Sequence, residues 1–425
     1  MSEGGHACDP LSPGDVILAL RRDDPIGGEL LGYGRERSLP GLEEISEESD
    51  LDAVLDEFAS IGSGDERDER VQTEPPAGDR LRFWLLKVPE GQEQLAAGSL
   101  MKLRVELAGK QSNEAVPPVV LAQPNHFLDY SGGSPVELGP DHAGYLRQMG
   151  LPAEPQDMAS PARVRVVDSG YSGHRASVVR AVDILDQQYS IADTDGHGTC
   201  VADIITTAAG RVDLEIFRVS DDRRRPTEWE VLQALSLAPF PHLINLSLSV
   251  GFRGVECSRC GRQPQSARTS VFEERLRELA EDGVIVVAAA GNSGKPDLAY
   301  PAKFGSCVAV QACSGNPPSV TSYSNQGALD QGGSAHPLVF ICPGGDHGAG
   351  EGPVLDTANQ PLDGTSYSAA YMTGLLASLW GELGVAHGPC DMCRSTVLSL
   401  AMHAASQSFP GFDASRHGHG LARRR

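Results

Sequence analysis

The 425-residue sequence lacks three features that would indicate a membrane protein, a secreted protein or a nucleic-acid-binding protein. No stretch approaches the ~18 consecutive apolar residues of a membrane helix. The N-terminus has no basic start followed by an apolar run, so we expect no secretory signal. Positive charge is scarce, because 35 lysines and arginines face 57 acidic residues and give a net charge of -22. Binding to phosphate requires a basic face, so we expect neither nucleic acid nor a membrane as a partner.

The chain has an odd number of cysteines, so disulfides within the chain cannot pair all of them. The chain has nine cysteines, and several lie within apparent core segments. This usage is typical of a reducing compartment rather than an oxidised exterior. Together with the missing signal, it predicts a cytoplasmic location.

The N-terminal region shows the order strand, helix, strand, helix, strand over residues 15–128. The strands are "DVILAL", "LRFWLLKV" and "PPVVLAQPN", the last broken by Pro124, and apolar residues recur at helical spacing over residues 51–58. The pattern predicts a small α+β domain with an acidic loop, preceded by a leader at residues 1–14. Residues 129–160 are rich in glycine, proline and serine and are interpreted as a linker.

Residues 161–425 alternate near-continuous apolar strands with helices, as a parallel sheet requires. Three polar residues lie at the ends of these elements. Asp168 ends the strand "VRVVDSG", His197 precedes an apolar helix in "DTDGHGTCVAD", and Ser366 opens the last long helix in "LDGTSYSAA". Each alone is typical of a helix cap or a surface loop. The order Asp, His, Ser in glycine-flanked motifs instead favours a catalytic triad.

The motifs "VVDSG", "GHGTCVA", "NLSLS", "VVAAAGNSG", "YPA" and "GTSYSAA" follow in the order found in the subtilisin-like (S8) serine peptidases. Residues 161–425 resemble this family, which implies an α/β fold with a parallel sheet flanked by helices. The resemblance implies a serine endopeptidase that requires no cofactor. Ser366 would attack the peptide carbonyl, His197 would be the general base and then the acid, and Asp168 would hold the imidazole. Asn292 would donate to the oxyanion together with the backbone N–H of Ser366.

The same resemblance implies how a peptide or protein substrate binds. An extended peptide would join an exposed strand edge by backbone hydrogen bonds. The residues of this edge are Ser247, Leu248, Ser249, Val250 and Gly251. The family usually has a glycine pair where this chain has Ser249 and Val250, so the shape of the primary pocket is left open.

The N-terminal domain is similar to a subtilase propeptide of the ferredoxin-like α+β type. The similarity implies an intramolecular inhibitor whose tail fills the cleft, with self-cleavage within residues 129–160. Two alternatives stay open for the whole chain. The first is a dedicated peptide-maturation or regulatory protease with a single partner. The second is a catalytically idle peptide-binding module.

Two CxxC pairs, Cys257 with Cys260 and Cys390 with Cys393, are compatible with a four-thiolate zinc site. Topology weakens this interpretation, because the first pair follows a strand and the second follows the Ser366 helix, whose length separates opposite sheet edges by ~25 Å. Reduced thiols and local disulfides are the alternatives. Cys200 is either a target for thiol reagents or a buried inert thiol. The short link "TTAAGR" has no room for a calcium loop, so calcium is not implied there.

Overall fold

The computed structural model describes residues 11–21, 81–87, 96–97, 121–126, 128–129, 135–152, 160–185, 191–250, 270–327, 337–385 and 387–424. The chain divides into two compact units, which are described one at a time. The first unit comprises Met1–Phe127, Thr227–Trp229 and Arg268–Arg275. The second unit comprises Leu128–Pro226, Glu230–Ala267 and Leu276–Arg425.

The helices with both ends in the described residues are α1 His142–Gln148, α2 His197–Ala209, α3 Glu228–Ser236, α4 Ser270–Glu281, α5 Thr365–Glu382, α6 Asp391–Ala404 and α7 Ala414–His417. The strands are β1 Leu11–Arg21, β2 Leu81–Lys87, β3 Leu121–His126, β4 Leu128–Asp129, β5 Pro135–Leu138, β6 Ala162–Asp168, β7 Ser177–Asp183 and β8 Val212–Arg218. They continue with β9 Leu243–Leu246, β10 Ser249–Val250, β11 Ile285–Ala289, β12 Cys307–Ser314, β13 Ser319–Val320, β14 Leu338–Pro343, β15 Val354–Asp356 and β16 Pro361–Leu362.

The first unit contains an antiparallel sheet with the strand order β2-β1-β3. The central strand β1 buries residues 16–19 completely. Three strands are therefore formed where the sequence predicts them. Pro124 lies inside β3 instead of breaking it, since β3 is at an edge of this sheet, where a missing N–H is tolerated. The two helices predicted between these strands lie outside the described residues, except that residues 96–97 are helical.

The same unit includes the first residues of α3 and α4, which β3 caps. The side-chain carbonyl of Asn125 accepts the backbone N–H of Trp229 at 3.2 Å. The side-chain carbonyl of Gln123 accepts the backbone N–H of Val271 at 2.8 Å. First-turn N–H groups have no partner within their own helix, so these two amides supply the missing acceptors.

The second unit is built on a mainly parallel sheet with the strand order β13-β12-β11-β9-β6-β8-β7, and β14 pairs with β12. All its pairings are parallel except that of β12 with β13. Most of its strands read as continuous apolar runs because both of their faces are covered. Strand β7, which the sequence analysis missed, alternates exposed and half-buried positions over most of its length.

Helix α5 is the central helix of this unit, since every residue from 365 to 381 is buried. It packs against α2 at a position where a small residue is required. A Cβ on Gly374 would lie 2.5 Å from the Cβ of Ala208, closer than carbon atoms can approach. The α/β fold with a parallel sheet and flanking helices is confirmed for this unit.

Residues 135–152, which the sequence predicts to be part of a linker, contain regular secondary structure instead. They form β5 and α1, and Tyr145, Leu146 and Met149 join the main hydrophobic core of the second unit. The composition rich in glycine and proline concealed this short helix, which tertiary burial stabilises.

No helix in the described ranges combines the length and the apolar character needed to cross a membrane.

Candidate active site

Asp168 and His197 come together at the carboxyl edge of the parallel sheet. Asp168 is the last residue of β6, and His197 is the first residue of α2. The Nδ1 atom of His197 lies 2.8 Å from Oδ1 of Asp168. The His197 side chain is fully buried, and Asp168 is 3 % exposed. The carboxylate accepts a hydrogen bond from Nδ1–H, so the lone pair of the neutral ring lies on Nε2, which is the basic atom.

A second carboxylate, that of Asp193, holds the loop that carries His197. Its Oδ1 accepts the backbone N–H of Gly196 at 2.8 Å and the hydroxyl of Ser169 at 2.9 Å. Its Oδ2 accepts the backbone N–H and the hydroxyl of Thr199 at 2.8 Å and 2.7 Å. Asp193 thus connects the end of β6 to the start of α2. Asp193 was not predicted as a site residue, although it lies within the quoted motif "DTDGHGTCVAD".

The electrostatic surroundings of His197 favour its protonated form. Burial opposes a charge on the ring, but Asp168, and after it Asp195 and Asp193, outweigh burial and raise the pKa of His197. Burial also raises the pKa of Asp195, which His197 partly offsets. An imidazole in this setting can accept a proton and be stabilised as an imidazolium by a buried carboxylate.

Ser366 lies in the first turn of α5 without capping the helix. The N-cap is Gly364, whose backbone is extended and which has no side chain to cap the helix. The Ser366 hydroxyl donates to the backbone carbonyl of Ser247 at 3.0 Å, and the Ser247 hydroxyl donates to the carbonyl of Ser366 at 2.9 Å. The next residue, Tyr367, has its ring centre 5.8 Å from that of His197. The first turn of α5 is therefore beside the imidazole.

Asn292 is exposed and fixed in orientation by Thr365. Its Oδ1 accepts both the backbone N–H and the hydroxyl of Thr365, each at 2.9 Å. The Thr365 hydroxyl also accepts the backbone N–H of Gly291 at 3.1 Å. Because the amide oxygen is held on this side, the Nδ2 donors point the other way. Thr365, which the sequence analysis did not identify, sets this orientation.

The strand proposed to bind substrate already carries a short antiparallel partner from the same unit. In the ladder of β10 with β4, Ser249 pairs with Asp129 and Val250 pairs with Leu128. The side chains of Ser247 and Leu248 are 0 % and 2 % exposed, so only the backbone of these two residues is left to form the predicted edge. Both residues directly follow the buried strand β9, and their side chains are buried with it. Gly251 lies outside the described residues.

The described cysteines include the buried thiol of Cys200 and one disulfide-bonded pair. Burial, and after it nearby carboxylates, raise the pKa of Cys200 to about 12, so this thiol stays protonated and unreactive at neutral pH. Cys390 and Cys393 are joined by a disulfide. Their sulfur atoms and a ring nitrogen of His387 lie within 4.8 Å of one another, and atoms of these types can bind a metal ion. Cys257 and Cys260 lie outside the described residues.

The chain belongs to the subtilase family, which it matches over residues 168–420. The match begins at Asp168 and includes His197, Asn292 and Ser366. Family membership agrees with the sequence motifs and with the parallel sheet that carries these residues at its carboxyl edge.

Individual relatives are distant. Alkaline elastase YaB from Bacillus sp. (strain YaB) is 26% identical over 227 residues, which cover 51% of this chain and 53% of that protein. Subtilisin BL from Lederbergia lenta is 26% identical over 230 residues, which cover 51% of this chain and 76% of that protein. The chain thus spans about half of the length of the first of these relatives. A crystal structure of a lanthipeptide protease has a TM-score of 0.49 at 20% identity, covering 66% of this chain and 90% of that one.

Proposed function

We propose that the protein is a serine endopeptidase that cleaves peptide bonds with Asp168, His197 and Ser366. The observation that carries the proposal is the buried contact of 2.8 Å between Asp168 and His197, beside the helix turn that holds Ser366. Ser366 Oγ attacks the carbonyl carbon while His197 Nε2 takes its proton. The imidazolium then gives this proton to the leaving amine, and water repeats the sequence on the acyl-enzyme. Asp168 stabilises the imidazolium throughout without taking the proton.

Asn292 and the backbone N–H of Ser366 are proposed to stabilise the negative charge of the tetrahedral intermediate. The orientation of the Asn292 amide supports this role, because Thr365 holds its oxygen and leaves the Nδ2 hydrogens for another acceptor. The Ser366 N–H belongs to the first turn of α5, at the positive end of the helix, which favours negative charge. Two donors of this kind are what an oxyanion hole requires.

Labelling with a fluorophosphonate probe tests the hydrolase proposal. The processed wild type should be labelled at one serine, and Ser366→Ala should abolish labelling. Ser368→Ala is the matched control, because Ser368 is also buried in α5 but donates to the carbonyl of Pro343 at 3.1 Å. This variant should label like the wild type. A wild type that is folded and processed but unlabelled would refute the peptidase function and favour a peptide-binding module.

We further propose that the N-terminal region inhibits the enzyme and is removed by self-cleavage. The pairing of β4 with β10 supports this, because an extended segment that follows the N-terminal region joins the edge expected to bind substrate. Ser247, whose carbonyl accepts the Ser366 hydroxyl, precedes Ser249 by two residues. A peptide that continued the ladder past Asp129 would place its second further residue opposite Ser247. We expect the cut within the first three or so residues after Asp129.

Mass spectrometry of the purified chain tests self-cleavage. Wild-type protein should yield a mature fragment that begins shortly after Asp129, whereas Ser366→Ala should stay at full length. If wild type and variant both stay intact, self-processing is wrong even if the probe labels Ser366. A cut far from Asp129 would show that the register of β4 on β10 is not that of a substrate.

A further inference from the structure

The loop between α5 and α6 concentrates metal-binding chemistry far from the proposed catalytic residues. Helix α5 has 18 residues and spans about 27 Å, so its C-terminal end lies at the opposite edge of the sheet from Ser366. His387, Cys390 and Cys393 follow this end, and their ligand atoms lie within 4.8 Å of one another. Imidazole nitrogen and thiolate sulfur are the donors that Zn²⁺ prefers in proteins.

The imidazole of His387 is held in the tautomer that a metal ligand needs. Its Nδ1 lies 2.8 Å from the carbonyl oxygen of Gly388. A carbonyl can only accept, so Nδ1 carries the proton and the lone pair is on Nε2. Metal-binding histidines commonly donate their second ring N–H to a carbonyl in this way.

The backbone on both sides of the cluster is anchored to the sheet. The carbonyl oxygen of His387 accepts from Nε2 of His242, which directly precedes β9, at 3.0 Å. Cys390 packs on Gly283, which has φ +84°, and a Cβ at that position would overlap the backbone of Cys390. The three side chains are therefore presented by a loop with fixed backbone contacts.

The helix that follows prepares the two sulfur atoms for metal binding. Cys390 is the N-cap of α6, and its Sγ accepts the backbone N–H of Cys393 at 3.1 Å. A hydrogen bond from the backbone and the positive end of the helix both stabilise a thiolate. Cys393 is 5 % exposed, and Cys390 is half-buried, so the pair is partly shielded from water while His387 is exposed.

We infer that His387, Cys390 and Cys393 form a zinc site that becomes available when the Cys390–Cys393 disulfide is reduced. An external dithiol breaks the S–S bond, gives two thiols on the protein and is itself oxidised to a disulfide. Zn²⁺ then displaces the two thiol protons to solvent and binds both sulfurs and Nε2 of His387, with water as the fourth ligand. The cytoplasmic location predicted from the sequence would supply such reductants. This inference does not depend on peptidase activity.

The cluster lies at the amino edge of the sheet. His242, which contacts the carbonyl of His387, directly precedes β9. Gly283, on which Cys390 packs, lies two residues before the start of β11.

Metal analysis of the full-length protein, reduced and dialysed with and without Zn²⁺, tests the inference. The reduced wild type should retain one zinc per chain, and the oxidised wild type should retain none. The double variant Cys390→Ser/Cys393→Ser should lose the metal, and His387→Ala should weaken binding at least tenfold. Cys257→Ser/Cys260→Ser is the matched control and should keep it. Circular dichroism shows that each variant is folded.

Replacing zinc with Co²⁺ supplies a second measurement that does not depend on catalysis. The reduced wild type should show the thiolate-to-cobalt absorption bands. The double variant Cys390→Ser/Cys393→Ser should lack them. Loss of zinc and of these bands in Cys257→Ser/Cys260→Ser would overturn the three-ligand site in favour of a shared one. A folded, reduced wild type that binds neither metal would overturn the inference altogether.

Discussion

Two buried histidines of the second unit show opposite behaviour. His197 is fully buried against Asp168, and its pKa is raised. His142 in α1 is 8 % exposed and meets hydroxyl groups, those of Tyr371 at 2.6 Å and Thr207 at 2.9 Å. Burial, and after it Arg175, lower its pKa to about 4. Burial alone therefore lowers the pKa of an imidazole and keeps it neutral, whereas a buried carboxylate beside the ring raises the pKa and lets the ring accept a proton.

The largest expected effect comes from making the surroundings of His197 resemble those of His142. Asp168→Asn keeps the shape of the side chain and removes its charge, so we expect kcat to fall about 10⁴-fold, the magnitude known for the corresponding change in another serine protease. The pKa of His197 should fall as well, because burial would no longer be outweighed. The acid limb of the pH profile of kcat/KM should therefore move to lower pH.

Asp356, the half-buried last residue of β15, offers a control for this substitution. Asp356→Asn alters only local turn contacts and should leave kcat and the pH profile unchanged. An acid limb that stays in place in Asp168→Asn would show that Asp168 does not set the pKa of His197.

The second prediction concerns the charge that develops on the substrate rather than on the histidine. Asn292→Ala should lower kcat by about 10²–10³-fold, with little change in KM, because the amide donor acts mainly on the transition state. The pH profile should keep its shape, since Asn292 is no part of the His197 pair. Steady-state kinetics over a range of pH measures both properties. A change in KM alone would assign Asn292 to substrate binding instead.

The third prediction concerns His142, where the sign is opposite to that of His197. A lowered folded-state pKa means that the unfolded chain binds the proton first as the pH falls below 6.5. Stability is then lost between pH 6.5 and about 4, and the loss from pH 7 to pH 5 should be about 2 kcal/mol. Urea unfolding at the two pH values should show this loss in wild type and a smaller loss in His142→Gln. Equal losses would place the titration at another group.

The smallest expected effect tests the residue that orients Asn292. Thr365→Val removes the hydroxyl donor but keeps the backbone N–H donor to Oδ1. We expect kcat to fall about fivefold, in line with the loss of one neutral hydrogen bond worth about 1 kcal/mol. Thr365→Ser restores the hydroxyl and should restore most of the rate. If serine fails to rescue the rate, Thr365 acts through packing and not through Asn292.

Much of the candidate site was predictable because its members lie in short motifs at element ends. Asp168, His197, Asn292 and Ser366 were each singled out from the sequence, and the structure brings Asp168 to His197 and the turn of Ser366 beside it. Asp193 and Thr365 were missed, since a second aspartate in a loop and a threonine before a serine carry no distinctive pattern. Their roles depend on partners that are distant in the chain or outside the motif under study.

The sequence by itself determined the family, the alternation of buried strands and helices, and the candidate triad, because these depend on local composition and on short motifs in a fixed order. Tertiary structure decided the chemistry of individual groups. It made Ser366 a hydrogen-bond donor to Ser247 instead of a helix cap, separated His197 from His142 in pKa, and gathered His387 with Cys390 and Cys393. Burial and long-range partners control these properties, and both arise only when the chain is folded.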